Sequence, residues 1–167
     1  MVYAYYRRLT QQQKAVYRRS DEIAAIRVPD PAPVQLLTGA LADALAQDNQ
    51  PRVQALCQQV ADALTHRLRV PGVSVVVLAV RPHDDRGELH GFYHPRPDNG
   101  PPIIVLWMRT AQRRRVVAFR TFLRTLLHEL CHHFDYALLD LAHSFHTEGF
   151  YRRESSLFRQ VVAAAGE

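Results

Sequence analysis

The chain is short of several things, and each shortage removes a class of protein. It holds only two cysteines, Cys57 and Cys131, too few for the disulfide framework of a small secreted domain. Lysine is nearly absent: Lys14 is the one lysine among 21 basic residues. No uncharged run approaches the length that spans a bilayer, and residues 1–8 lack the apolar stretch of a secretory leader. Repeats and low-complexity tracts are missing as well. These shortages lead us to expect a soluble, cytoplasmic protein with reduced thiols and no membrane partner.

At 167 residues, 47% of them hydrophobic and 22% charged, the chain suits one globular domain (1–167) with a real core. The net charge of +5 and the pI near 9.6 are carried by arginine, grouped at Arg7/Arg8, Arg18/Arg19 and Arg113–Arg115. A solvated surface accounts for such groups, and so does an acidic partner such as nucleic acid.

Apolar periodicity predicts helices over 10–27, 34–46 and 51–69, separated by Pro29–Pro33 and by the turn at Asp48–Pro51. Residues 1–70 therefore read as a helical N-terminal region. Cys57 falls near the apolar face of the third helix, as a small buried thiol does. After Pro71-Gly72 the pattern changes. The run Val73–Val80 predicts a strand buried on both faces, 88–94 a short edge strand, and 103–108 a second apolar strand. Residues 116–141 predict a long, largely buried helix, and a last helix, capped by Ser144 or Thr147, runs to about Ala164.

Within the long helix lies His128-Glu129-Leu130-Cys131-His132, the pattern H-E-x-x-H. Four residues are just over one turn, so both imidazoles leave the same face. Glu129 follows about 100° round, where a carboxylate can take a proton from a water on a metal held by the two histidines. Two core histidines and a core glutamate would each need separate satisfaction in an apolar setting, whereas one metal satisfies all three. A third ligand must come from elsewhere, and His143, His146 and Glu154 are the candidates. On a regular helix about 12 Å of rise separates His146 from Glu154, so only one of them can bind the same ion. Spacing does not choose between them.

The motif followed by His146-Thr147-Glu148-Gly149-Phe150-Tyr151 resembles the SprT-like metallopeptidases and their zincin relatives, over roughly residues 73–160. The resemblance implies an α+β fold with a small sheet packed on the motif helix, here a catalytic core spanning 71–167. It implies Zn2+ held by His128, His132 and His146, with Glu129 as general base. It also implies a peptide or protein substrate cut by a metal-activated water. The four-cysteine zinc ribbon that some relatives use on nucleic acid is absent, which weakens a role on DNA. The competing zincin pattern would make Glu154 the ligand. Around the site, Asp135 is a candidate partner for a ligand's N–H, and Tyr151 or Tyr93 for a developing oxyanion. His133 reads as packing or solvent-facing, and Glu154 beside Arg152 and Arg153 either as an ion-pair cluster or, with His146 as the ligand, as a buried group that supports a metal ligand from behind. Two other outcomes stay open at this level. One is a non-catalytic module, stabilised by zinc, that binds nucleic acid or a protein through its arginines. The other is a peptidase kept latent by residues 1–70.

Overall fold

The computed structural model describes residues 2–162. Five α-helices and a small mixed sheet give an α+β fold: α1 Gln11–Glu22, α2 Ala32–Ala46, α3 Gln50–Leu68, α4 Phe119–Ala137 and α5 Glu148–Val161. The sheet has the order β1-β5-β4, where β1 is Ser74–Val80, β4 is Gly91–His94 and β5 is Ile103–Arg109. β5 lies in the centre, parallel to β1 and antiparallel to β4. A two-stranded hairpin, β2 His83–Asp84 and β3 Gly87–Glu88, projects from the connection. No helix among the described residues is long and apolar enough to cross a membrane.

Local chemistry accounts for most boundaries. Thr10 and Gln13 form a reciprocal capping box that starts α1. That helix ends at Glu22, five residues before the expected end. Its last carbonyls, Ser20 O and Ile23 O, accept from the buried guanidinium of Arg153 at 2.6 and 2.7 Å, and the chain leaves in extended form. α4 starts at Phe119, three residues late, because Val117 N–H donates to Met108 O and Val116 bridges Arg109, prolonging the sheet. Thr147, not Ser144, caps α5, accepting from Phe150 N–H at 2.9 Å. The expected end of that helix near Ala164 lies outside the described residues.

The expectation that 73–80 is buried on both faces fails. In β1 only Val75 and Val77 are buried, while Leu78 is exposed, because helices cover one face of the sheet. β5 alternates in the same way, with Ile104, Leu106 and Met108 inside. The second apolar strand expected over 103–108 is β5, the central strand of the sheet. The outer edge of β1 is closed by α3: Gln54 Nε2 donates to Val75 O and its Oε1 accepts from Val77 N–H, both at 2.7 Å. Gln58 repeats this one turn on, between Val73 O and Val75 N–H. Among the described residues of this three-stranded sheet, β4 is the strand left with a bare edge, and α4 runs beneath it. One buried cluster joins Leu41, Leu56 and Leu64 of the N-terminal helices to Leu106, Leu126, Phe134 and Leu157. Cys57 and Cys131 are both buried and free.

Candidate metal centre

α4 presents His128 and His132 one turn apart, with ring centroids 5.0 Å from each other. His146 arrives from the loop before α5. The ligand atoms of the three imidazoles lie within 4.8 Å of one another, a group that can hold a metal ion. The Nε2 atoms of His132 and His146 stand 2.9 Å apart. Phe150 underlies all three rings, with centroids 4.8–5.0 Å away.

What lies behind the rings decides which nitrogens are free. His128 Nδ1–H donates to Glu154 Oε2 at 2.9 Å. Ser144 Oγ–H donates to Asp135 Oδ2 at 2.8 Å, so Ser144 Oγ is left to accept from His132 Nδ1–H at 2.7 Å. Asp135 is held in turn by Arg153 at 3.0 and 3.2 Å, and the side chains of that pair are wholly buried. These bonds assign the tautomers: His128 and His132 carry their protons on Nδ1 and offer Nε2 lone pairs to the front. Burial, reinforced by His128 and His146, pushes the His132 pKa down to about 3. Burial, with His128 nearby, lowers that of His146 too. Neutral imidazoles are what a cation requires, so the residues present fit a metal.

The structure thus brings His146 into the group and leaves His143 and Glu154 out of it. His143 is exposed and stacks on Phe145 with centroids 5.6 Å apart. Glu154 grips the far side of His128. Asp135 reaches the site only through Ser144, a serine the sequence offered merely as a helix cap. The expected cluster of Glu154 with its neighbours is not formed. Arg152 pairs with Glu148, Arg153 with Asp135, and Glu154 with Arg124 at 3.8 Å. His133 is not idle packing either. Its Nε2–H donates to Pro71 O at 2.7 Å and its Nδ1 accepts from Tyr93 O–H at 3.1 Å, which holds the Tyr93 ring against His132. The Tyr93 hydroxyl is therefore engaged. Tyr151 is 42% exposed, its centroid is 5.8 Å from that of His146, and among the described residues its hydroxyl has no hydrogen bond. Arg113–Arg115 face solvent, as expected.

Glu129 is 6% exposed, and burial raises its carboxyl to about 7, with His128 opposing the rise and Glu154 adding to it. β4 crosses directly above. A Cβ on Gly91 would come within 2.7 Å of both Glu129 Oε1 and Thr125 Cγ2, so a side chain there would push the Glu129 carboxyl out of its place. The cleft along β4 opens both ways from His128 and Glu129: toward Tyr93, Tyr136 and His146 on one side, toward His90 and Arg124 on the other.

Compared with protein-family models, curated proteins and solved structures, the chain matches none. The functional reading therefore rests on the residues themselves. Signals for Ser144, Arg153 and Gly91 were absent from the sequence pattern. Their roles depend on partners 9, 18 and 38 positions away.

Proposed function

We propose that the chain is a zinc-dependent peptidase with a zincin-like core, in keeping with its resemblance to the SprT-like metallopeptidases. One observation carries the reading: His128 and His132 are tied from behind through Nδ1, so their Nε2 atoms face a common point with His146, beside the Glu129 carboxyl. Neutral imidazole donors favour zinc among the common divalent ions. Bound there, zinc would lower the pKa of a water and polarise a substrate carbonyl. Glu129 takes the proton from the attacking water and hands it to the leaving amine. Its carboxyl, raised to about 7 by burial, moves back toward the base form when a cation sits in front of it. Tyr151 is the hydroxyl available to a developing oxyanion. The bare edge of β4 takes the substrate as an added extended strand. Two buried free thiols accord with a cytoplasmic setting.

A closed structural zinc site, in a module that binds nucleic acid through its arginines, is the competing reading. It needs a fourth protein ligand. Among the described residues the group holds three side chains and faces a cleft, which favours the enzyme. The test is metal content by mass spectrometry combined with peptide hydrolysis. Wild type and Glu129→Gln should both carry stoichiometric zinc, with hydrolysis only in the wild type. His146→Ala should lose the metal, and Glu154→Ala should hold it more weakly. Hydrolysis that survives Glu129→Gln would sink the assigned mechanism.

A further inference from the structure

The half of the cleft on the His90 side of β4 plays no part in the chemistry above. It is a hollow of about 380 Å³ lined by His90, Thr121, Arg124, Thr125 and Glu154 and ending at His128 and Glu129. The opposite half is aromatic, with Phe92, Tyr93 and Tyr136 in its wall. The two ends of a bound strand would therefore meet different chemistry.

Arg124 dominates the polar half. Its guanidinium lies over the Phe158 ring, 4.1 Å from the centroid, and Arg120 lies over the same ring at 4.9 Å. Stacking fixes a guanidinium by its face and leaves the N–H groups along its edge. Among the described residues Arg124 makes no hydrogen bond, and its one ion pair, with Glu154 Oε1, is long at 3.8 Å. The other oxygen of Glu154 is taken by His128 Nδ1–H. In the wall of the hollow Arg124 thus faces Glu154, which His128 already holds, and Glu129, whose carboxyl burial raises to about 7. An ordinary surface arginine would hold a close carboxylate or extend into water. This one is anchored at the wall of the cleft, with its one carboxylate partner among the described residues 3.8 Å away.

We propose that this hollow is a subsite for a substrate carboxylate, with Arg124 as the residue that selects it. The preferred ligands are peptides carrying Asp or Glu within a residue or two of the bond at the metal site, on the Gly91 side of β4. The fork of a guanidinium matches a carboxylate in bidentate fashion, and an amide of the same shape cannot supply the charge. The inference rests on the peptide-substrate reading for the kind of ligand, but it does not require hydrolysis.

The experiment measures binding first. Zinc-loaded Glu129→Gln protein is titrated with short blocked peptides in which Glu is scanned across the positions flanking a central Phe, each paired with its Gln twin. At one position the Glu peptide should bind about ten- to hundredfold more tightly than its twin, the range of a charged hydrogen bond. That ratio should collapse toward one in the Arg124→Gln/Glu129→Gln protein at unchanged zinc content and melting temperature, and it should shrink as salt rises. Equal binding of the twins, a preference that survives Arg124→Gln, or no peptide binding at all would overturn the subsite. Hydrolysis of the same peptides by wild type is scored separately. A Glu preference in binding without hydrolysis would refute the peptidase and leave the subsite standing, and hydrolysis without preference would do the reverse.

Discussion

An imidazole has two nitrogens, and in this chain the rear one decides what the front one can do. His132 is oriented by Ser144, Ser144 by Asp135, and Asp135 by Arg153. Replacing Ser144 by Ala removes the acceptor that fixes the His132 tautomer while leaving the Asp135–Arg153 pair intact. Zinc affinity, measured by competition with a chelator, should fall about 10–100-fold. The metal-free protein should lose only about 1 kcal/mol, the scale of one hydrogen bond. Affinity unchanged within error would remove Ser144 from the account. A second prediction at this scale concerns pH in the metal-free protein. His132 is lowered from 6.5 to about 3, so the unfolded chain takes up a proton near 6.5 that the folded one refuses, and stability is lost as pH falls through that range. Glu129 is raised from 4.5 to about 7, so the folded state holds a proton that the unfolded one releases, and stability is lost as pH rises through the same range. Between 4.5 and 6.5 the two slopes oppose each other. Glu129→Gln removes one of them, so denaturant midpoints for this variant should fall more steeply between pH 6.5 and 4.5 than those of wild type. Parallel profiles would contradict the opposition.

At the scale of elements, the sheet has one closed edge and one bare edge. Gln54 and Gln58, one helical turn apart on α3, supply β1 with the donors and acceptors a neighbouring strand would give. Gln54→Ala breaks two of these bonds and leaves Val75 O and Val77 N–H without their partner. About 2 kcal/mol of stability should go, read from chemical denaturation, together with a rise in concentration-dependent association through the opened edge. Stability within a few tenths of wild type would show that water replaces Gln54 without loss. This closure leaves β4 as the edge beside the candidate site. Strands were legible in the sequence because β-branched runs declare themselves. Their order was not, since an apolar run such as Ile103–Arg109 reads the same in the centre of a sheet as at its margin. Helix ends were misjudged where tertiary partners act: Arg153 stops α1, and Met108 draws Val117 into the sheet. His128, Glu129 and His132 were legible because helical spacing alone makes them neighbours. Arg153 was not, since an arginine in the run Arg152-Arg153-Glu154 looks like surface charge, yet its side chain is wholly buried.

For the whole molecule, the question is whether residues 1–70 restrain a core or belong to it. α1 and the segment before it hold the loop that carries Ser144 and His146. Tyr5 O–H donates to His146 O at 3.1 Å, and Ser20 Oγ meets Thr147 Oγ1 at 3.0 Å. Gly149 N–H donates to Asp21, and a Cβ at Gly149 would collide with the Ser20 carbonyl, so α1 and α5 meet at a distance only glycine permits. α2 and α3 contribute Leu41, Leu45, Leu56, Val60 and Leu64 to the same buried cluster as α4 and β5. Losing even a few such side chains costs about 2–5 kcal/mol each, which together matches a typical stability of about 5–15 kcal/mol. None of these residues lies among those that line the cleft on either side of His128 and Glu129. The N-terminal helices therefore pack into the same buried core as the second half of the chain. A chain cut to residues 71–167 should show no cooperative melting by circular dichroism and no stoichiometric zinc. Latency is the opposite outcome: a folded, zinc-loaded fragment that hydrolyses peptides faster than the full chain would show residues 1–70 to be an inhibitory segment, and would place the fold's core wholly within the second half.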